Sequence, residues 1–134
     1  MKVLVCGGRT FMKKDLIYKV LDTIPISITH IINGGAAGAD SIAGLWALDR
    51  GILVDSKRPD WRKHGKAAGF IHNAEMLESG VELVIAFPGG RGTEDMISRT
   101  KKAGIEVIQI KIIDEKPRCI SSFSKEDSLL NRSR

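Results

Sequence analysis

A chain of 134 residues suits one domain around one core. Its 43% hydrophobic content is that of an ordinary globular protein, and no run approaches the roughly 18 apolar residues of a membrane span. The formal net charge of +5 suits an anionic partner, either nucleic acid or a small anionic ligand, but 5% aromatic residues is thin for stacking on single strands.

Met1 to Val5 is too short and too soon interrupted by glycines for a signal peptide. It reads as the first strand, and a cytoplasmic location is expected. Cys6 and Cys119 lie far apart without CxxC spacing, which suggests neither a zinc site nor a disulfide scaffold. Cys6 reads as a small hydrophobe. His30, His64 and His72 lack metal-ligand spacing, so no metal is expected.

Val3 to Val5 runs into Gly7-Gly8 as strand one. Residues 15–21 carry Leu16, Ile17, Val20 and Leu21 at helical spacing, and Pro25 closes that helix. His30 to Ile32 is a second strand, stopped by Asn33-Gly34-Gly35. A helix over 40–49 places Ile42, Leu45 and Trp46 on one face, with Gly51 at its C-terminal end. Ile52 to Val54 is strand three, followed by a polar stretch from Asp55 to Gly65. A helix over 66–79 turns Ala67, Phe70, Ile71 and Ala74 inward. Leu83 to Phe87 is strand four, residues 94–103 a helix, and Val107 to Ile113 strand five. Strands alternating with helices imply an α/β fold, a doubly wound parallel sheet of about five strands in a single domain, 1–113. Residues 114–134 are polar and aperiodic, and are expected to form a C-terminal tail without fixed structure.

Three of these strands end in glycine loops: Gly7-Gly8-Arg9, Gly34-Gly35-Ala36-Ala37-Gly38-Ala39-Asp40 and Pro88-Gly89-Gly90-Arg91-Gly92-Thr93. The C-terminal strand ends of a parallel sheet share one edge, so the loops are expected to face one crevice. Glycines let a ligand approach the backbone, and helix starts offer free amides to an anion. Thr93 can cap its helix or donate to a phosphate, and Arg9 and Arg91 add forked donors. Neither GxxxxGK[ST] nor GxGxxG is present, so the phosphate reading rests on loop physics.

Asp40 can meet a ribose hydroxyl or act as an acid or base, or it can cap its helix. Glu94 and Asp95 are candidate catalytic carboxylates, or a favourable acidic first turn. In Arg58 to Lys66, Asp60 and Trp61 are candidate ligand residues. Trp61 can stack on a base while Arg62, Lys63 or Lys66 meets phosphate, or the stretch is a solvated loop. Asn73 can orient a ligand or tie down a loop. Trp46 reads as core.

Taken in order, Gly7-Gly8-Arg9-x-Phe11, Gly34-Gly35-Ala36-x-Gly38-Ala39-Asp40, Pro59-Asp60-Trp61, Ala68-Gly69-x-x-x-Asn73-x-x-Met76 and Phe87-Pro88-Gly89-Gly90-x-Gly92-Thr93 resemble the SLOG superfamily. That superfamily joins the DNA-processing DprA/Smf proteins and the LOG-type phosphoribohydrolases, and the resemblance is closest to the YspA-type, cpYpsA-related branch. It runs from about residue 2 to residue 112. It implies a Rossmann-like three-layer fold, a nucleotide or nucleotide-derived ligand, no separate cofactor, and a homodimer or higher homo-oligomer. The sequence departs from the hydrolases at one point: LOG enzymes carry PGGxGTxxE, whose last glutamate takes part in cleaving the N-glycosidic bond, and here that position is Met96. The Arg of many branch members before Asn73 is His72. Binding of a nucleotide-type ligand, as sensor or sequestering protein, is therefore expected ahead of LOG-like hydrolysis, and both ahead of DprA-like single-stranded DNA binding.

Overall fold

The computed structural model describes residues 1–65, 68–113 and 116–121, without the side chains of Trp61, Ile113 and residues 116–121. Along the chain run β1 (Lys2–Cys6), α1 (Lys14–Thr23), β2 (His30–Asn33), α2 (Ala39–Asp49), β3 (Leu53–Ser56), α3 (Trp61–His64), α4 (Ala68–Leu77), β4 (Leu83–Ala86), α5 (Arg91–Lys102), β5 (Glu106–Ile113) and β6 (Lys116–Ser121). The strands form one sheet in the order β3-β2-β1-β4-β5-β6. The first five are parallel, and β6 pairs antiparallel with β5, Ile110 opposite Cys119. The first part of the stretch expected to be an unstructured tail is thus an edge strand; residues 122–134 lie outside the described ones.

Period-two alternation along buried strands builds the three layers. Val3, Val5, Ile31 and Ile85 point to one face, where Ile17 and Val20 of α1 and Ile42, Ala43 and Trp46 of α2 cover them. Leu4, Ile32, Val84 and Val107 point to the other face, against Met76 of α4 and Met96 of α5. Trp46 is core as expected, its indole N–H donating to Asp22 at 2.8 Å. No helix among the described residues is long and apolar enough to cross a membrane.

Three expectations need correction. Leu45 is half exposed, so the inward face of α2 is Ile42, Ala43, Trp46 and Ala47. The buried residues of α4 are Ala68, His72, Asn73 and Met76, while Phe70 is 43% exposed; Ala67 lies outside the described residues. Apolar periodicity points the wrong way on α4 because the helix packs beside the glycine loops, where Asn73 turns inward to donate to the Gly92 carbonyl. Finally, α5 begins at Arg91 rather than Glu94, because Gly90 to Thr93 is already helical capping and first turn. The N-cap is Gly90, without a side-chain bond, and Thr93 stands at the third helical position instead of capping.

The chain steps from β1 outward to β2 and β3, then returns to β4 on the other side of β1. That reversal of strand order opens a crevice above the C-terminal ends of β1 and β4, where ligands of doubly wound sheets sit.

Candidate functional site

Backbone bonds knit the three glycine loops together at this reversal. The Gly8 amide donates to the Pro88 carbonyl at 2.8 Å, and the Phe11 amide to the Gly8 carbonyl at 3.1 Å. Phe11 also stacks on Phe87, centroids 5.7 Å apart, which seats the first loop on the end of β4. Gly38 begins α2 at φ +77°, and any side chain there would collide with the Gly8 and Arg9 carbonyls. A Cβ at Gly7 would press on Ala39 and Phe87, and one at Gly89 on Thr93 and the Gly8 amide. Close loop packing accounts for these glycines.

Above them lies a cleft of about 730 Å³, within the range of small-molecule sites. It brings together Gly7, Gly8 and Arg9 from the first loop, Gly34, Gly35, Ala36 and Asp40 from the second, and Gly90, Gly92 and Thr93 from the third, with Asn73 on α4. A recess of about 430 Å³ shares Gly8, Arg9 and Gly90 with it and adds Pro88 and Gly89. Gly38, Asp60, Arg91, Glu94 and Asp95 line neither. Asp60 accepts the Lys63 amide at 3.0 Å and so caps α3. The Trp61 side chain and Lys66 lie outside the described residues.

Gly90 and Gly92 differ from the other loop glycines. A Cβ on either would meet open space, and neither has a positive φ. Glycine is an accepted N-cap, but Gly92 sits inside the first turn, where it costs about 1 kcal/mol relative to alanine. The first intrahelical bond of α5 runs from the Glu94 amide to the Gly90 carbonyl. The amides of Arg91, Gly92 and Thr93 precede it, at the positive end of a 12-residue helix.

Asp40, 6% exposed, holds the second loop: its Oδ2 accepts the Gly34 amide at 2.9 Å and the Ala36 amide at 3.4 Å. It caps nothing in its own helix, whose N-cap Gly38 has no side-chain bond. Burial raises its pKa to about 6, and the two loop amides and Arg9 pull the other way. Burial and the Asp40 charge together push the Cys6 thiol far up, so this buried cysteine on the cleft wall is an unreactive hydrophobe.

Asn73 reaches the third loop. Its amide donates to the Gly92 carbonyl at 3.0 Å and to Asp95 Oδ2 at 3.1 Å. The same Asp95 oxygen accepts Arg99 Nε at 2.8 Å, one helical turn on. Glu94 is exposed, and Met96, at the hydrolases' glutamate position, is fully buried in the second core layer. Of the carboxylates considered for catalysis, Asp40 alone lines the cleft.

Among the cleft residues not expected at the site, two carry nitrogen-bearing side chains, Arg58 and His72. Arg58 lies against Gly35 and lines the cleft, and like Arg9 it forms no salt bridge among the described residues. His72 is 9% exposed on the cleft wall, and its Nε2 is buried without a hydrogen-bond partner among the described residues. The Lys57 backbone lies near enough to favour the protonated ring yet makes no bond of ordinary geometry to Nε2. Burial outweighs it and lowers the His72 pKa, so the ring is neutral at pH 7. The only sequence signal for His72 was its departure from the Arg of the resembled branch. Among the described residues no group of three or more His, Cys, Asp or Glu is placed to hold a metal.

The model of the YspA, cpYpsA-related SLOG family matches residues 1–64. The chain is also similar to the "Gene 61 protein" of Mycobacterium phage D29, 36% identical over 118 residues, which covers 80% of this chain and 94% of the phage protein.

Proposed function

The chain belongs to the YspA, cpYpsA-related SLOG family, whose membership points to a nucleotide-related function, and from that premise we propose that the cleft binds a nucleotide or nucleotide-derived small molecule with a phosphate at the start of α5. The observation that carries the reading is Gly92. Among the described residues nothing gives a steric or conformational reason for a glycine inside that turn, and Gly92 lines the cleft together with Gly90 and Thr93. An anion there gains backbone donors and the helix dipole at once. Arg9 and Arg58, without a salt bridge among the described residues, supply further positive charge along the wall. Such a protein acts as a sensor or a sequestering protein.

A thermal-shift screen across mononucleotides, cyclic dinucleotides and ADP-ribose derivatives tests this. A true ligand raises Tm progressively with concentration, by mass action. No rise with any of them would sink the reading. Binding that collapses with salt and shows no preference among small ligands would instead support single-stranded DNA binding.

Cleavage at the N-glycosidic bond is the second reading, favoured by one observation: a carboxyl group whose pKa is raised to about 6 in the cleft. It has to run through Asp40, since Glu94 and Asp95 do not line the cleft and Met96 is core. Chromatography of the same mixtures decides it. Release of free base that Asp40→Asn abolishes would establish hydrolysis, and intact nucleotide after long incubation would exclude it.

A further inference from the structure

We propose that an anion entering the cleft draws a proton from solvent onto the pair His72 and Asp40, so that the site takes up its ligand together with a proton and holds it more tightly as pH falls. This rests on the anion seat proposed above and adds how its affinity is regulated.

The pair flanks one glycine. A Cβ at Gly34 would stand 3.0 Å from Asp40 Oδ2 and 3.0 Å from His72 Cε1, with His72 Nδ1 at 3.8 Å. The carboxylate and the ring therefore lie at most about 6 Å apart, and a charge placed beside one acts on the other as well. Both residues line the cleft, and both are more than nine-tenths buried. They stand near the start of α5, since His72 precedes Asn73, whose amide donates to the Gly92 carbonyl at 3.0 Å.

Burial shifts the two groups in opposite directions. It lowers the His72 pKa and raises that of Asp40 to about 6. At pH 7 the cleft thus presents a neutral ring and a carboxylate that is mostly ionised. Negative charge brought into the cleft favours imidazolium over imidazole and carboxylic acid over carboxylate, so both groups respond by taking up a proton. The response does not depend on which ring nitrogen carries the proton in the neutral form, because an imidazolium has an N–H at each.

The surrounding charges act on the pair from several elements. The Lys57 backbone and Glu75 favour the charged ring, while the Lys57 ammonium opposes it. The amides of Gly34 and Ala36, and then Arg9, favour the ionised Asp40. On α5, Asp95 is bonded to Asn73 and Arg99. Cys6 stays a thiol. Arg9 and Arg58 line the same cleft and attract an anion at every pH, because a guanidinium does not lose its proton in proteins. They set the baseline affinity, and the pair adds the part that varies with pH. By linkage, affinity rises as pH falls toward the pKa values of the empty site and levels off below them.

The test uses sulfate and ADP-ribose, probes whose charge does not change between pH 5.5 and 8. Each probe that binds should bind at least about tenfold more tightly at pH 5.5 than at pH 7.5, the effect of raising one group by about one pKa unit. Calorimetry at pH 7 in cationic buffers of different ionisation enthalpy should find net proton uptake. In the wild-type protein, NMR titration of the His72 imidazole and the Asp40 carboxyl carbon should show both midpoints moved to higher pH by the bound probe. His72→Gln should reduce the uptake, and His72→Gln with Asp40→Asn should abolish it and leave affinity level across the range. Equal affinity at the two pH values, midpoints unmoved by bound probe, or uptake that persists in the double variant overturns this inference and leaves the anion seat standing. Absence of binding by both probes at every pH overturns the anion seat and this inference with it.

Discussion

The first two glycine loops and the third are built from the same residue type for different physical reasons. In the first two, the space a side chain would take is already occupied. Ala39 and Phe87 press on Gly7, Asp40 and His72 close on Gly34, and loop carbonyls fill the place beside Gly38. In the third, Gly89 is locked against Thr93 and Gly8, but Gly90 and Gly92 face emptiness. A glycine run therefore records two requirements, loop-on-loop packing and clearance for something else, and only the second points to a ligand.

Substitutions should separate the two. The largest effect belongs to Gly38→Ala, which places a Cβ at φ +77° against two carbonyls. It should cost about 3 kcal/mol or more in urea unfolding, and a loss under about 1 kcal/mol would mean that the loops are not interlocked. Next comes the pH dependence of Asp40. Its pKa is raised on folding to about 6, so the folded state holds a proton that the unfolded chain has released. Stability from this group therefore falls as pH rises from about 4 to 6, by on the order of 3 kcal/mol, and Asp40→Asn should flatten that limb of the stability profile. Asn73→Ala removes the bonds to Gly92 and Asp95 and should cost about 1–2 kcal/mol, read by the same unfolding experiment. The smallest stability change belongs to Gly92→Ala. Its Cβ meets nothing, so stability should hold or rise by up to about 1 kcal/mol while nucleotide binding weakens at least about tenfold. If stability and binding both stay unchanged, the clearance at Gly92 has no ligand to serve.

Much of this was legible in the sequence. Buried parallel strands announce themselves as apolar runs, and Val3 to Val5, Ile31-Ile32 and Leu83 to Phe87 sit where those runs placed them. The three loops could be put on one edge because topology fixes where strand ends lie. Residues 116–121 escaped because pairing beside β5 is a tertiary event that the polar sequence Lys116 to Ser121 does not advertise. The α4 face was misread because its inward positions include His72 and Asn73, chosen by what the loops need rather than by hydrophobicity. The division between filled and open glycines was not legible at all, since it depends on which distant residue occupies each vacant Cβ position. The same holds for Asp95, whose bonds to Asn73 and Arg99 brace the third loop.

The central claim, that the first turn of α5 is an anion seat within a nucleotide-binding cleft, is tested most directly by titrating the labelled wild-type protein with AMP and with ADP-ribose and following backbone amides. The account predicts saturable shifts that are largest at Arg91, Gly92 and Thr93 and lost in Gly92→Ala. Shifts confined to the basic last turn of α5, at Arg99, Lys101 and Lys102, or unaltered in Gly92→Ala, would contradict it.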